Sequence, residues 1–365
     1  MSTLNLTLLT DLYELTMMQG YFKADNNAMS VFDAFYRSNP SKGGYAIFAG
    51  LEQVIEYIEN LHFDEEDVNY LRNLGIFDED FLEYLAHFRF SGDIYALPEG
   101  TVMFPREPMV KVVAPIMEAQ LVETAILNIM NHQSLIATKA NRIVRAAEGR
   151  EVYEFGARRS HGVDAALMGA RAAFIGGCAG TTQVLAAKEF SIPYYTTMTH
   201  SWVQAFDNEY DAFVAFAKQC PNDCVLLVDT YNTIGSGVPN AIRVFDEILK
   251  PMGVRPKGIR IDSGDITYLS RKARAMLDEA GFEDAIISAS SDLDEFLIRD
   301  LKLQGSKISL WGVGTKMITA QDNPSFGGVY KLAAEETEEE VKREVSFTIP
   351  EGVERVGTCA FYKNE

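Results

Sequence analysis

Apolar and polar positions change rhythm about a third of the way along the chain. Residues 11–22 (DLYELTMMQGYF) have the spacing of a short helix. Thr10 or Asp11 can cap its start, because a side-chain oxygen there accepts from an otherwise unpaired backbone N–H. Ser30–Tyr36 (SVFDAFY) alternates with the period of a strand and runs into RSNPSKGG, a turn segment containing one proline and two glycines. Helical spacing follows over Leu51–Leu61 and Glu65–Leu71. Between Gly92 and Val113, β-branched residues interrupted by Pro98, Pro105 and Pro108 predict strands and turns. Together these pieces predict a small α+β domain over residues 1–112.

From residue 113 the pattern becomes that of a larger α/β domain, expected to extend to residue 334. Glu118–Asn141 is a long amphipathic helical stretch. Short apolar runs follow, each leading into a helical segment: Cys224–Thr230 (CVLLVDT), Gly258–Ile261, Ala285–Ser288 and Ile308–Gly312. Strands read as continuous apolar runs when helices cover both faces of a parallel sheet. The interval between them, roughly 25–35 residues, suits a βα unit. Polar, small-residue segments sit just past each run: DTYNTIGSG, IDSGD, ASSD and GVGT. In a (β/α) barrel that position is the catalytic rim. An open doubly wound sheet would place ligands on the same edge, and periodicity alone fits both. The acidic tract 335–341 (EETEEEV) reads as a solvated turn or strand edge. The last 25 residues read as β-rich, so 335–365 is expected to rejoin the smaller domain.

A chain of 365 residues, 47% hydrophobic and 23% charged, is long enough for one sizeable core and a smaller partner domain. Its formal charge of -19 argues against a broad nucleic-acid footprint or an anionic membrane surface. It leaves room for an anionic ligand, since backbone N–H groups and a few arginines can form a positive pocket in an acidic protein. No run reaches the roughly 18 apolar residues of a membrane span. The start, MSTLNLTLLTDLYELT, lacks the pattern of a signal peptide. Of the four cysteines only Cys220 and Cys224 (CPNDC) are close, and no second pair completes a metal-ligand set. Ordinary thiols in a reducing, cytoplasmic setting are expected.

Four constellations carry chemistry. YEFGARRSHG (Tyr153–Gly162) combines an aromatic ring with adjacent arginines. It fits either a flat ring stacked on Phe155 beside a guanidinium–anion pair, or a surface turn with salt bridges. TMTHSW places His200 after the apolar stretch SIPYY, as a base, ligand or phosphoryl acceptor or as a structural histidine; His132 and His161 give it no zinc-like spacing. In IRIDSGD, Asp262 and Asp265 flank a Ser-Gly turn, with Arg260 two residues before the first. Those carboxylates can hold magnesium or sugar hydroxyls, or the turn can cap the next helix. Asp229 adds another acid on the same edge. ASSD (Ala289–Asp292) and GVGT (Gly312–Thr315) suit phosphate cradles or ordinary helix caps. Neither is a P-loop, and no dinucleotide fingerprint precedes a helix. Successive polar loops at strand ends point to a phosphorylated ligand.

Read in order, these pieces resemble the nicotinate phosphoribosyltransferase family. The resemblance rests on TDLYELTMMQGY, FYRSNPSKGGYAIFAGL, FPREPMVKV, EAQLVETAILNIMNHQSLIATKA, EFGARRSHG, GTTQVLAAKEFSIPYYTTMTHSW, LLVDTYNT, IRIDSGD, SLWGVGT and GGVYKL. It implies the irregular α/β barrel of type II phosphoribosyltransferases with a smaller α+β domain, in homodimers whose sites are shared between subunits. It implies that nicotinate reacts with phosphoribosyl pyrophosphate to give nicotinate mononucleotide and pyrophosphate, with magnesium and with ATP as co-substrate. By the same resemblance Asp11 and Tyr13 reach the partner's site, Phe155 stacks on the pyridine ring, and Arg158 and Arg260 contact carboxylate or phosphate. His200, beside Thr199, resembles the histidine that ATP phosphorylates in that family. Ser290, Ser291, Gly312, Gly314 and Thr315 hold the 5′-phosphate. Asp229 and Asp262 face ribose, pyrophosphate or magnesium. The sister activity on nicotinamide is expected to want an aspartate where this chain has FIGGCAG, in which Cys178 and Ala179 are uncharged; an acid there would repel a nicotinate carboxylate.

Overall fold

A computed structural model of the chain describes residues 5–335. The readings of the acidic tract past Glu335 and of the β-rich tail lie outside the described residues. The chain divides into two compact units, one running to Leu135 and resuming at Ser325, the other Ile136–Pro324. The division lies later than residue 112, inside the helix Glu123–Ala147. The return to the first unit comes before residue 335, because Gly328–Glu335 is already a strand of that unit's sheet.

In the first unit, β1 (Met29–Tyr36), β2 (Ala46–Ile47), β3 (Asp93–Ala96), β4 (Val102–Met103) and β5 (Val110–Pro115) are the first five strands. β1 pairs antiparallel with β5 on one side and with Gly328–Glu335 on the other, and β3 extends the sheet beyond β5. The alternation expected of Ser30–Tyr36 gives way to continuous burial from Phe32 to Tyr36, because the strand is central and covered on both faces. Asp33 is tolerated there by an ion pair of 2.7 Å to Lys111, its cross-strand neighbour on β5. The first helix is Leu12–Lys23, and its N-cap, Asp11, makes no side-chain cap bond. A capping box between Asp64 and Asp67 starts the helix Glu65–Asn73. The long helical stretch expected at 118–141 is two helices, Ile116–Leu121 and Glu123–Ala147.

The second unit holds six parallel strands: β6 (Glu151–Glu154), β7 (Gly180–Thr181), β8 (Val225–Leu227), β9 (Gly258–Ile261), β10 (Ile286–Ser291) and β11 (Leu310–Val313). Their order is β7-β6-β11-β10-β9-β8. The wrap leaves β7 and β8 at the two edges. Between those edges runs SIPYY, which is no regular strand: Thr181 N–H donates to Pro193 O and Tyr195 N–H to Thr181 O, both at 3.0 Å. Gly180 lies so close to this segment that a Cβ would stand 2.1 Å from Pro193 O. Thr197 Oγ1 then reaches Val225 O on β8 at 3.4 Å. An irregular α/β barrel is the result, its strands buried on both faces as their apolar runs require. Among the described residues no helix is long and apolar enough to cross a membrane.

Candidate active site

Parallel register brings the candidate residues to one end of the six strands. Leu227 pairs with Arg260, Ser290 with Gly312, and Val313 with Glu154, so Asp229, Asp262, Ser291, Gly314 and Phe155 all lie at or just past the carboxyl ends. Arg260 is the centre of the arrangement. Only 8% exposed, it donates from Nε to Ser290 Oγ at 2.7 Å, from Nη1 to Met198 O at 3.2 Å and from Nη2 to Asp262 Oδ1 at 2.8 Å. Its guanidinium carbon lies 5.6 Å from the centroid of the Phe155 ring, within reach of the ring's negative face. Ser290 Oγ also donates to Asp262 Oδ1. Two strands, β9 and β10, and the segment leading into His200 are thereby tied through one guanidinium.

Burial alone would raise the Asp262 carboxyl. The Arg260 charge, the hydrogen bonds from Ser290 and Arg260, and the proximity of His200 outweigh it and hold the carboxyl below its ordinary value. His200 opens the short helix His200–Gln204, with Thr199 as N-cap and Thr199 Oγ1 2.8 Å from Ser201 Oγ. Its Nδ1 is 3.1 Å from Thr230 Oγ1 and its Nε2 3.7 Å from Asp262 Oδ2. Asp229 Oδ2 accepts from Asp262 N–H at 2.9 Å and from Ser263 Oγ at 2.6 Å. Its other oxygen, Oδ1, is buried without a hydrogen-bond partner. An anionic oxygen left so is costly unless a cation or donor arrives. Among the described residues no group of three or more His, Cys, Asp or Glu forms a metal cage. Asp229 and Asp262 could together take a magnesium that keeps waters and comes with substrate phosphates.

Phe155 follows β6 and turns over Gly312, where a Cβ would lie 2.6 Å from the ring. The bare glycine on β11 is thus what lets the ring settle, a packing reason beside the phosphate-cradle reading. Beneath Phe155, Glu154 is 1% exposed; it accepts from Thr181 Oγ1 at 2.7 Å and from Gly156 N–H. Burial pushes its carboxyl up against the effect of those two bonds. Arg158 is exposed on the turn Ala157–Arg159. Ser290 is buried and Ser291 exposed at the end of β10, while Gly314 and Thr315 follow β11. Asp265 is occupied as a helix cap, its carboxylate accepting from Tyr268 N–H at 2.9 Å. Asp11 and Tyr13 are exposed on the first unit, Tyr13 by 48%.

Cys178 and Ala179 precede β7, and the Cys178 thiol is buried 3.8 Å from the Met317 sulfur. The residues just past β7 are Thr182 and Gln183, which also carry no acid. Thr230, Ser263, the Met198 carbonyl and Glu154 are additions that the sequence hardly signalled. Only their adjacency to Asp229, Asp262, His200 and Phe155 offered a hint.

Two family models match the chain: the nicotinate phosphoribosyltransferase N-terminal domain over residues 8–131 and the nicotinate phosphoribosyltransferase family over 151–318. A nicotinate phosphoribosyltransferase of Bacillus subtilis (strain 168) is 50% identical over 357 residues, covering 97% of this chain and 71% of its own. Another, from Mycobacterium tuberculosis (strain ATCC 25618 / H37Rv), is 49% identical over 329 residues, covering 90% and 70%. The crystal structure of human nicotinic acid phosphoribosyltransferase superposes with a TM-score of 0.78 at 29% identity, covering 90% of this chain and 75% of that one.

Proposed function

This chain belongs to the nicotinate phosphoribosyltransferase family, and we propose that the cluster around Arg260 is where it joins nicotinate to the phosphoribosyl group of phosphoribosyl pyrophosphate. Its activity is that of the family, in NAD biosynthesis or salvage. The observation that carries the assignment is the Arg260 guanidinium, fixed by three hydrogen bonds at the strand ends beside an aromatic ring and two carboxylates.

The pyridine ring of nicotinate lies against Phe155, with Arg260 and Arg158 facing its carboxylate or the ribosyl phosphates. The pyridine nitrogen attacks C1 of the ribose with its free lone pair, so no general base is needed. The C1–O bond to pyrophosphate breaks, and its electron pair leaves with the pyrophosphate. Asp229 and Asp262 would hold a magnesium, whose charge would offset the charge developing on that leaving group. The 5′-phosphate takes hydroxyls of Ser291 and Thr315 and backbone N–H groups around Gly312 and Gly314, and that of Ser290 once its hydrogen leaves Asp262 Oδ1. Asp11 and Tyr13 complete the site of a partner subunit in a homodimer.

ATP acts through His200. With Nδ1–H donated to Thr230, Nε2 keeps its lone pair for the γ-phosphoryl group, and ADP departs. Phosphate on His200 adds about -1.5 to -2 charge next to Asp262 and changes the charge that Arg260 balances around the pyrophosphate donor; water then cleaves the N–P bond and phosphate leaves, which couples ATP hydrolysis to binding of that donor. His200→Ala tests this step. Nicotinate turnover should persist at a slow rate and lose its stimulation by ATP. Stimulation as large as in the unmodified enzyme would remove His200 from the coupling.

A further inference from the structure

Glu14 stands on the first turn of the helix Leu12–Lys23, beside Asp11 and Tyr13. It is 0% exposed. Each of its carboxylate oxygens faces a threonine hydroxyl: Thr124 Oγ1 donates to Oε1 at 2.8 Å, and Thr10 Oγ1 donates to Oε2. Each hydroxyl also has a second acceptor within reach. For Thr124 it is Asp11 Oδ2 at 3.1 Å, and for Thr10 it is Leu121 O at 3.3 Å. A hydroxyl carries one hydrogen, so Thr124 serves one carboxylate at a time. When Glu14 is ionised it draws the hydrogens of both threonines, and Asp11 receives none from Thr124. When Glu14 is protonated it can donate to Thr124 Oγ1, whose own hydrogen then turns to Asp11. Donation to Thr10 instead would release a hydrogen only toward a neutral, more distant carbonyl, a weaker acceptor than a carboxylate.

We propose that Glu14 is a positioning residue that sets, through the shared hydroxyl of Thr124, whether Asp11 is held in place for turnover. The inference rests on the role given to Asp11 above. Burial pushes the Glu14 carboxyl up to about 7, with Glu123 adding to the rise and the bonds from Thr10 and Thr124 opposing it. The groups facing Glu14 are Asp11 and Tyr13 on its own helix, Glu123 on the helix Glu123–Ala147, Tyr57 on the helix Leu51–Glu59 and Tyr330 on the returning strand. Lys331, also on that strand, acts on Glu123 and lowers it. The surroundings are acids and phenols, which favour the protonated form. A folded-state value raised into the neutral range means that the tether of Asp11 is present on the acid side and is lost as pH rises through about 7.

The test is kcat/KM of the full chain from pH 6 to 8.5. The unmodified enzyme should fall about three- to tenfold across a step near neutrality, the worth of one hydrogen bond to an exposed carboxylate. Glu14→Gln, neutral at every pH, should stay on the high plateau. Thr124→Val should stay on the low one, and Thr124→Ser should restore the step. A step that persists in Glu14→Gln or Thr124→Val overturns the proposal, as does its absence in the unmodified enzyme when Asp11→Ala impairs turnover. A purely structural Glu14 would lower the thermal midpoint in Glu14→Gln without flattening the profile, which also overturns it. If Asp11→Ala leaves turnover unchanged at all pH values, the role assigned to Asp11 fails. The coupling is then read from the thermal midpoint difference between the unmodified chain and Asp11→Ala: a change in that difference through pH 7 that Thr124→Val abolishes supports it, and a constant difference overturns it.

Discussion

Replacing Arg260 by lysine keeps the charge and removes the fork. The guanidinium makes three hydrogen bonds to three differently placed acceptors, Ser290 Oγ, Met198 O and Asp262 Oδ1, from a side chain only 8% exposed. An ammonium on a shorter, flexible stem can replace the one to Asp262 and leaves the other two. Two buried hydrogen bonds at about 1 kcal/mol each, plus about 0.5–1 kcal/mol from the contact with the Phe155 ring, give a loss of about 2.5–3 kcal/mol, rising to about 4 kcal/mol with the unsatisfied carbonyl. If that loss falls on the transition state, kcat/KM for nicotinate drops by about 70- to 1000-fold, at 1.36 kcal/mol per tenfold. The assay is formation of nicotinate mononucleotide at saturating phosphoribosyl pyrophosphate, with the thermal midpoint as the control for folding. The acid limb of the pH profile should move as well. Arg260 helps hold the Asp262 carboxyl down, so the ionised form is present above that depressed value and is lost as pH falls through it. A weaker partner raises the value, and the limb shifts to higher pH. A folded Arg260→Lys enzyme within threefold of the parent, with an unmoved acid limb, would refute the reasoning.

Two further outcomes follow from packing and burial. Gly312→Ala places a methyl 2.6 Å from the Phe155 ring, so the ring must shift; KM for nicotinate should rise about tenfold, at an overpacking cost of about 1–3 kcal/mol in stability, checked by steady-state kinetics and thermal melts. Glu154 has a folded-state value raised by burial. The folded chain therefore holds its proton longer than the unfolded one, and stability is lost as pH rises from the ordinary carboxyl range through the raised value. Glu154→Gln should remove that slope, giving a thermal midpoint at pH 8 at or above the parent's and no gain at pH 5. Identical slopes would show that the carboxyl is not the cause.

What the chain reveals of its own fold depends on how local each cause is. Gly258–Ile261 is legible because four buried residues in a row describe a strand covered on both faces. β6 is not: it is four residues with a glutamate at each end, and its pairing with β11 and β7 makes it a strand. β7 has two residues, and its pairing with β6 and the contact of Thr181 with Pro193 and Tyr195 explain it. The same holds in the site. Asp229, Asp262 and Ser290 stand out because polar residues end apolar runs. That Arg260 turns inward to meet Ser290 and Met198 depends on parallel register between segments 30 and 62 residues apart, which no local pattern contains. Asp265 illustrates the converse. It has the same sequence appearance as Asp262 but caps a helix, three residues from its acceptor bond to Tyr268.

The most direct test is a crystal structure of the chain with nicotinate mononucleotide and magnesium. The pyridine ring should lie against Phe155 within reach of Arg260, with the 5′-phosphate at Ser290–Ser291 and Gly312–Thr315. A nucleotide bound away from the carboxyl ends of β9, β10 and β11, with Arg260 still bonded only to Ser290, Met198 and Asp262, would contradict the account.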